Sequence, residues 1–231
     1  MAGVTGAWLC IETTGDILGV AVLAADGALL AEVEQAAPRR HSALLVPAVA
    51  DALRLAGIPR TAIGQIAVDR GPGSYTGIRI GLAAGQALGE GLGIPVFGVP
   101  GLWASAAARS LEGLYAPALD ARRQDAFCAL YEVSGRGLPM ERIAPAMRPM
   151  ADFLAECAAF GRPVEVMGDA VARQADALAG HAFVRLGPAE LGAARLGRFA
   201  MRAREEARDD ALSAAALYLR PPSATARGLD G

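Results

Sequence analysis

Apolar positions in the first half of the chain fall into short blocks and two longer periodic stretches. Trp8–Glu12, Leu18–Leu23 and Ala28–Glu34 are apolar or loosely alternating runs separated by "TTGD" and "AADG", which predicts three strands joined by turns. In "HSALLVPAVADALRLAG" the apolar residues Leu44, Leu45, Ala48, Val49, Ala52 and Leu53 recur every three or four positions. That is the period of a helix, with Gly57 as its stop and Pro47 close to the start, where a missing amide is tolerated best. A strand at Ile63–Val68, a glycine turn, a second helix, a strand in "IPVFGVP" and a helix over Leu102–Ser110 complete the order β-β-β-α-β-α. This order predicts a mixed sheet, antiparallel on one side and parallel on the other, covered by helices.

The second half repeats the theme more faintly. Tyr115–Leu119 and Phe127–Val133 flank "DARRQDA" as a hairpin, followed by a helix at Met150–Phe160 and a strand at Val164–Met167. An alanine- and arginine-rich helix is expected over Gly187–Arg208, and "ALYLRPPSA" ends the ordered chain, with a frayed tail after Pro222. The expected division is residues 1–105 and 106–231.

The second helix of the first half is unusual. In "DRGPGSYTGIRIGLAAGQALGEGLG" a glycine stands at every fourth position: Gly77, Gly81, Gly85, Gly89 and Gly93. Glycine inside a helix costs about 0.5–1 kcal/mol against alanine, so the missing side chains must serve a purpose. Positions four apart form one ridge, and a ridge of glycines is a groove into which another surface can come close. The expectation is close packing both on the parent sheet and on a second helix, either Ser42–Ala56 or one from a partner chain. A phosphate cradle in "GPGSYTG" is the competing idea, since backbone amides at a helix start can hold an anion. It lacks the Gly-Lys-Ser/Thr ending of a P-loop, and Thr76 stands where the dinucleotide fingerprint has its third glycine. The same residues read as a tight turn with Ser74 or Thr76 capping the helix.

Composition narrows the chemistry. Of 231 residues 53% are hydrophobic and 20% charged, with a formal net charge of −2, which does not suit a dedicated nucleic-acid binder. All 22 basic residues are arginine, which removes a Schiff-base lysine and a P-loop lysine. Cys10, Cys128 and Cys157 are far apart in apolar sequence and read as buried thiols. His41 and His181 are the two histidines; they form no HxxxH pair, so no bound metal is expected. His41 at a helix start reads as a cap or surface contact, and Asp120, Arg122, Arg123 and Asp125 read as solvated hairpin charges. No GxSxG elbow is present. With no leader pattern and no apolar span of membrane length, a soluble cytoplasmic protein is the expectation.

Taken in order, "LCIETTGDILGVAVL", "RRHSALLVPAV", "GPGSYTGIRIGLAAGQALG", "IPVFGVPGLWA", "LDARRQDAFCALYE" and "LYLRPP" resemble the bacterial TsaB family, also called YeaZ, over nearly the whole chain. The resemblance implies an α/β actin/Hsp70-like (ASKHA) fold of two βββαβα halves, the second degenerate. It also implies a place in the machinery that puts threonylcarbamoyl on the adenosine beside the anticodon of ANN-decoding tRNAs. Members of the family are not the catalyst; they pair with the related catalytic subunit TsaD, and a small ATPase, TsaE, joins the assembly. The implied pairing surface is the two first-half helices, here carried by His41, Leu44, Leu45, Ala48, Gly77, Ile80, Gly81, Ala84, Gly85 and Leu88. Alone, such a chain is expected to form a homodimer through the same face, and to meet tRNA indirectly. ATP and metal would be needs of the partner subunits, with no cofactor held firmly here. The family usually has aspartate where this chain has Glu12 in "IETT"; Glu12, Thr13 and Thr14 are the candidates for a vestigial nucleotide contact. Two other functions stay open on the residues alone: a stand-alone ASKHA-type phosphotransferase, and, disfavoured by the missing ligands and nucleophile, a glycoprotease-like metallopeptidase.

Overall fold

A computed structural model describes residues 6–135, 137–188 and 192–219. The first half runs β1 (Ala7–Glu12), β2 (Ile17–Leu23), β3 (Leu29–Ala36), α1 (His41–Ala56), β4 (Ile63–Asp69), α2 (Tyr75–Leu92), β5 (Val96–Val99) and α3 (Gly101–Ala107). The second runs β6 (Gly113–Arg122), β7 (Asp125–Val133), β8 (Met140–Pro149), α4 (Met150–Ala158), β9 (Val164–Met167), two single turns α5 (Ala170–Arg173) and α6 (Ala175–Leu178), β10 (Val184–Leu186) and α7 (Ala194–Glu205).

Both sheets have the same architecture. The first is ordered β3-β2-β1-β4-β5 and the second β8-β7-β6-β9-β10, so each half is a meander followed by parallel crossovers. Pairing is antiparallel in β1–β2, β2–β3, β6–β7 and β7–β8, and parallel in β1–β4, β4–β5, β6–β9 and β9–β10. Alternation in the central strand explains the two layers of core in the first half. Leu9 and Ile11 face α1 and α2 with Leu45, Val49, Ile78 and Leu82, whereas Trp8 and Cys10 face α7 with Leu196, Phe199 and Ala200. The C-terminal helix thus completes the core of the first sheet, and α3, in which residue 105 lies, packs against β6, β7 and α7.

Three features depart from the expected pattern. α7 begins at Ala194, seven residues after the expected Gly187, because its first turn is capped from afar: the Ala194 amide donates to Glu32 Oε1 of β3 at 3.0 Å. β8 was not expected, since "MERIAPAMRP" carries charges and Pro145; it is an edge strand, where a missing ladder amide is tolerated. β10 has three residues, too few to show a period. The expected tail after Pro222 lies outside the described residues. All three cysteines are buried, and burial pushes each thiol up to about 12. Among the described residues no helix is long and apolar enough to cross a membrane.

Candidate functional site

β1 and β4 are parallel neighbours with Ile11 opposite Val68, so both end in a carboxylate on the same side of the sheet: Glu12 and Asp69. Both are buried, and the group between them is Arg195 of α7. Its Nη2 donates to Glu12 Oε2 and, at 3.2 Å, to Asp69 Oδ2. The other Glu12 oxygen accepts from the Thr14 amide at 2.7 Å and the Thr14 hydroxyl at 2.6 Å, while Asp69 Oδ1 accepts from the Gly71 amide at 2.7 Å. Burial, then the negative Glu12 beside it, raises Asp69 well above the usual carboxylate range. Burial alone would raise Glu12 too; the Arg195 guanidinium and the hydrogen bonds from Asp69 and Thr14 outweigh it and hold Glu12 low. The result is a buried cluster in which two carboxyl groups share one guanidinium.

This cluster decides what the hairpin can do. Both Glu12 oxygens are occupied from inside the protein, and the Thr13 hydroxyl is spent on the Gly77 carbonyl at 2.9 Å. Among the described residues no group of three or more histidines, cysteines or carboxylates could hold a metal ion. Of the three hairpin candidates, Thr14 alone borders both cavities described below. Asp69 and Arg195 were missed in the sequence. The available signal was a charged residue four positions before Phe199, on the apolar stripe of "AARLGRFA".

The glycine ladder turns out to serve the sheet. A Cβ at Gly77 or Gly81 would strike Thr13, one at Gly89 would strike Val96, and one at Gly85 would lie 2.5 Å from Val68 Cγ2. Gly93 is the left-handed C-cap at φ 67°. The ridge is therefore used up by one contact, which corrects the expectation that a second helix also lies in it. Ser74 does cap α2, accepting from the Gly77 amide at 3.2 Å. The reason for the ladder is now geometric: bare backbone lets α2 lie on the β-branched rows of β4 and β5.

With its ridge turned inward, α2 shows solvent a different face. Leu45, Ala48, Gly77, Gly81 and Gly85 of the expected pairing set point inward and are buried, while Leu44, Ile80, Ala84 and Leu88 are half-buried along the edge of that face. The exposed small or apolar positions are Ala43, Val46, Pro47, Ala50 and Leu55 on α1, and Ala83, Ala87 and Gly91 on α2; Ser42, Asp51, Arg54, Thr76, Arg79, Gln86 and Glu90 are exposed among them. Val46 is 72% and Leu55 56% exposed, unusual for large aliphatic side chains. His41 neither caps nor lies on the surface. It is the first residue of α1, buried, with Nε2 unpartnered, and burial lowers its pKa against the pull of Glu12 and Asp16.

Between the halves lies a cleft. An outer cavity of about 510 Å³ is bordered by the N-terminal ends of α1 and α2, the β6–β7 hairpin and Tyr218. An inner cavity of about 240 Å³ has Glu12 and Arg195 among its walls. Both cavities share Asp16 and Arg173, which form an ion pair of 2.5 Å between the β1–β2 hairpin and α5. The expected solvated charges of "DARRQDA" divide here: Arg122 and Arg123 are exposed, whereas Asp120 accepts from Gln174 Nε2 at 3.0 Å.

Comparison with known proteins resolves which group of proteins has this build. The family model described as TsaD, tRNA N6-adenosine threonylcarbamoyltransferase, matches residues 33–207. The tRNA threonylcarbamoyladenosine biosynthesis protein TsaB of Bacillus subtilis (strain 168) is 36% identical over 162 residues, 69% of each chain. The chain belongs to the TsaB (YeaZ) family. TsaB of Escherichia coli (strain K12) is 34% identical over 137 residues, 56% of this chain and 57% of that one. A crystal structure from Pseudomonas aeruginosa, described as similar to peptidase YeaZ, superposes with a TM-score of 0.76 at 25% identity, covering 94% of this chain and all of that one. The paired sheets and this likeness make the fold actin/Hsp70-like (ASKHA). The family model bears the name of the transferase; the two histidines here are 140 positions apart, at 41 and 181.

Proposed function

We propose that the chain is a non-catalytic scaffold and activator in the biosynthesis of threonylcarbamoyladenosine in tRNA, working in the cytoplasm and pairing with a TsaD-type catalytic subunit. The observation that carries the pairing is the outer face of α1 and α2, where the small or apolar Ala43, Val46, Pro47, Ala50, Ala83 and Ala87 stand exposed among Arg54, Arg79, Gln86 and Glu90. Small residues on adjacent helices permit a close helix-to-helix approach, and two such helices from each chain make a four-helix contact. The internally paired Glu12–Asp69–Arg195 cluster supports the absence of independent phosphate chemistry, because its carboxylate oxygens already accept hydrogen bonds from within the protein. A homodimer through the same face would compete with the heterodimer, and a TsaE-type ATPase would join through the assembly. Any nucleotide contact would run through Thr14 at the cleft.

The test is co-purification with a TsaD-type subunit. A87E and V46E, both at solvent-facing positions, are expected to abolish pairing while the melting temperature of the isolated chain is unchanged. Pairing that survives both substitutions would overturn the proposed surface, and ATP turnover by the isolated chain would overturn the non-catalytic role.

A further inference from the structure

Arginines on the rim of the outer cavity are held in a costly way. Arg39, at φ 61°, and Arg122, at φ 69°, both line it, and both have left-handed backbone that glycine adopts freely. Arg123, next in the β6–β7 turn, is left-handed as well at φ 55°. Arg122 is paired through its backbone with Asp125, but among the described residues no hydrogen bond or ion pair involves the side chain of Arg39 or of Arg122, so those side chains do nothing for the fold that offsets this strain. Strain kept for a side chain without an internal partner points to a partner outside.

Aromatic groups share the rim. Arg79 donates to the Tyr75 hydroxyl at 3.1 Å and lies over its ring, 5.4 Å from the centroid. Tyr75 packs on Tyr218 with centroids 4.9 Å apart, and Tyr218 is exposed. The carboxylates of the cleft do not compete for the rim arginines. Asp16, Asp169 and Asp120 surround Arg173 instead, at 2.5, 3.7 and 4.0 Å.

We propose that this rim is a landing surface for single-stranded RNA, with phosphates on Arg39 and Arg122 and a loop base stacked on the Tyr75–Tyr218 pair. Guanidinium groups beside an open aromatic platform are the combination that unpaired RNA recognises, since each nucleotide brings both an anion and a π-face. An acidic protein segment would use the arginines and leave the platform idle. The inference rests on the role in tRNA modification and deepens it, giving the chain a tRNA contact of its own.

The experiment is fluorescence anisotropy with a labelled tRNA anticodon stem–loop, titrated with the intact chain, alone and with its TsaD-type partner, over a range of salt. R39G/R122G is expected to weaken binding about tenfold or more at low salt. The slope of log K against log salt should shrink by about 1.4, roughly 0.7 for each lost single-strand phosphate contact. Its melting temperature should not fall, because glycine fits both left-handed positions. Y218A, at an exposed position, is expected to weaken binding with the salt slope unchanged, and it keeps the test open should the double variant melt early. RNA binding that is equal in wild type and both variants overturns the proposal. So does capture of an oligoglutamate peptide with the same arginine dependence while RNA is ignored. R39G/R122G should still co-purify with the TsaD-type subunit. Failure of the wild-type chain to pair would bring down the proposed function itself, whereas normal pairing with an indifferent rim would bring down this inference alone.

Discussion

The two halves of the molecule repeat one topology and treat their paired carboxylates in opposite ways. In the first, Glu12 and Asp69 on neighbouring strands are closed over by Arg195, which is 8% exposed. In the second, Asp120 on β6 and Asp169 just beyond β9 stand at the corresponding places beside Arg173, which is 48% exposed. The crossovers differ in parallel: the first half carries an 18-residue α2 where the second has the four-residue turns α5 and α6. One half has a long helix pressed to its sheet, and its carboxylates are buried around Arg195. The other has lost the helix and left its charges at the cleft. The two halves thus differ in what they present to solvent, an outer two-helix face on one side and an open cleft edge on the other.

The largest expected effect separates the two arginines. R195M removes the counter-ion of a buried pair and should destabilise by about 3–5 kcal/mol, a fall in melting temperature on the order of 10 °C. R173M removes a half-exposed pair and should cost about 0–1 kcal/mol. Equal losses in thermal denaturation would erase the comparison. The pH dependence sharpens it. Glu12 is held low in the folded protein, so its stabilising contribution is present above the ordinary carboxylate value of about 4 and is lost as pH falls through its lower folded value. Without Arg195 the two buried carboxylates favour their protonated forms. The deficit of R195M relative to wild type should therefore be largest at neutral pH and shrink as pH is lowered towards about 4. A deficit that grows on acidification would contradict the assignment of Arg195 as counter-ion.

Within α2 the contrast is between ridge and face. G85A places a methyl group 2.5 Å from Val68 Cγ2 and should destabilise by about 1–3 kcal/mol in urea titration. G91A meets nothing within 4 Å and should stabilise by about 0.5–1 kcal/mol, the ordinary helix gain of alanine over glycine. Two substitutions six residues apart on one helix should have opposite signs. Matching signs would mean the ladder does not lie on the sheet.

Much of the first half was legible because local pattern and tertiary role agree there. Strands β1 to β3, the αL stop at Gly57 and the Ser74 cap all follow from residues close together in sequence. The ladder announced close packing correctly, but spacing alone cannot say which surface arrives, and Val68 and Val96 claim it. What was hidden depends on residues far apart: the Glu32 cap on α7 spans 162 positions, and the Arg195–Glu12 pair spans 183. Pro145 and the charges of β8 masked a strand whose edge position makes them acceptable. Arg122 reads in the sequence as an ordinary solvated hairpin charge, since a left-handed backbone at arginine leaves no mark in composition.

The return of α7 to the first sheet bears on how the chain is made. As synthesis proceeds from the N-terminus, β1, β2 and β4 emerge early, but the side of the sheet carrying Trp8, Cys10, Ala21 and Leu23 is still waiting for Leu196, Phe199 and Ala200. That apolar surface stays uncovered on the ribosome until α7 has emerged, so the first sheet cannot complete its core ahead of the second half. A nascent chain stalled before α7 should be open to protease and to chaperones that bind exposed apolar segments. α7, far from being an appendage, supplies the residues that complete the core of the first sheet.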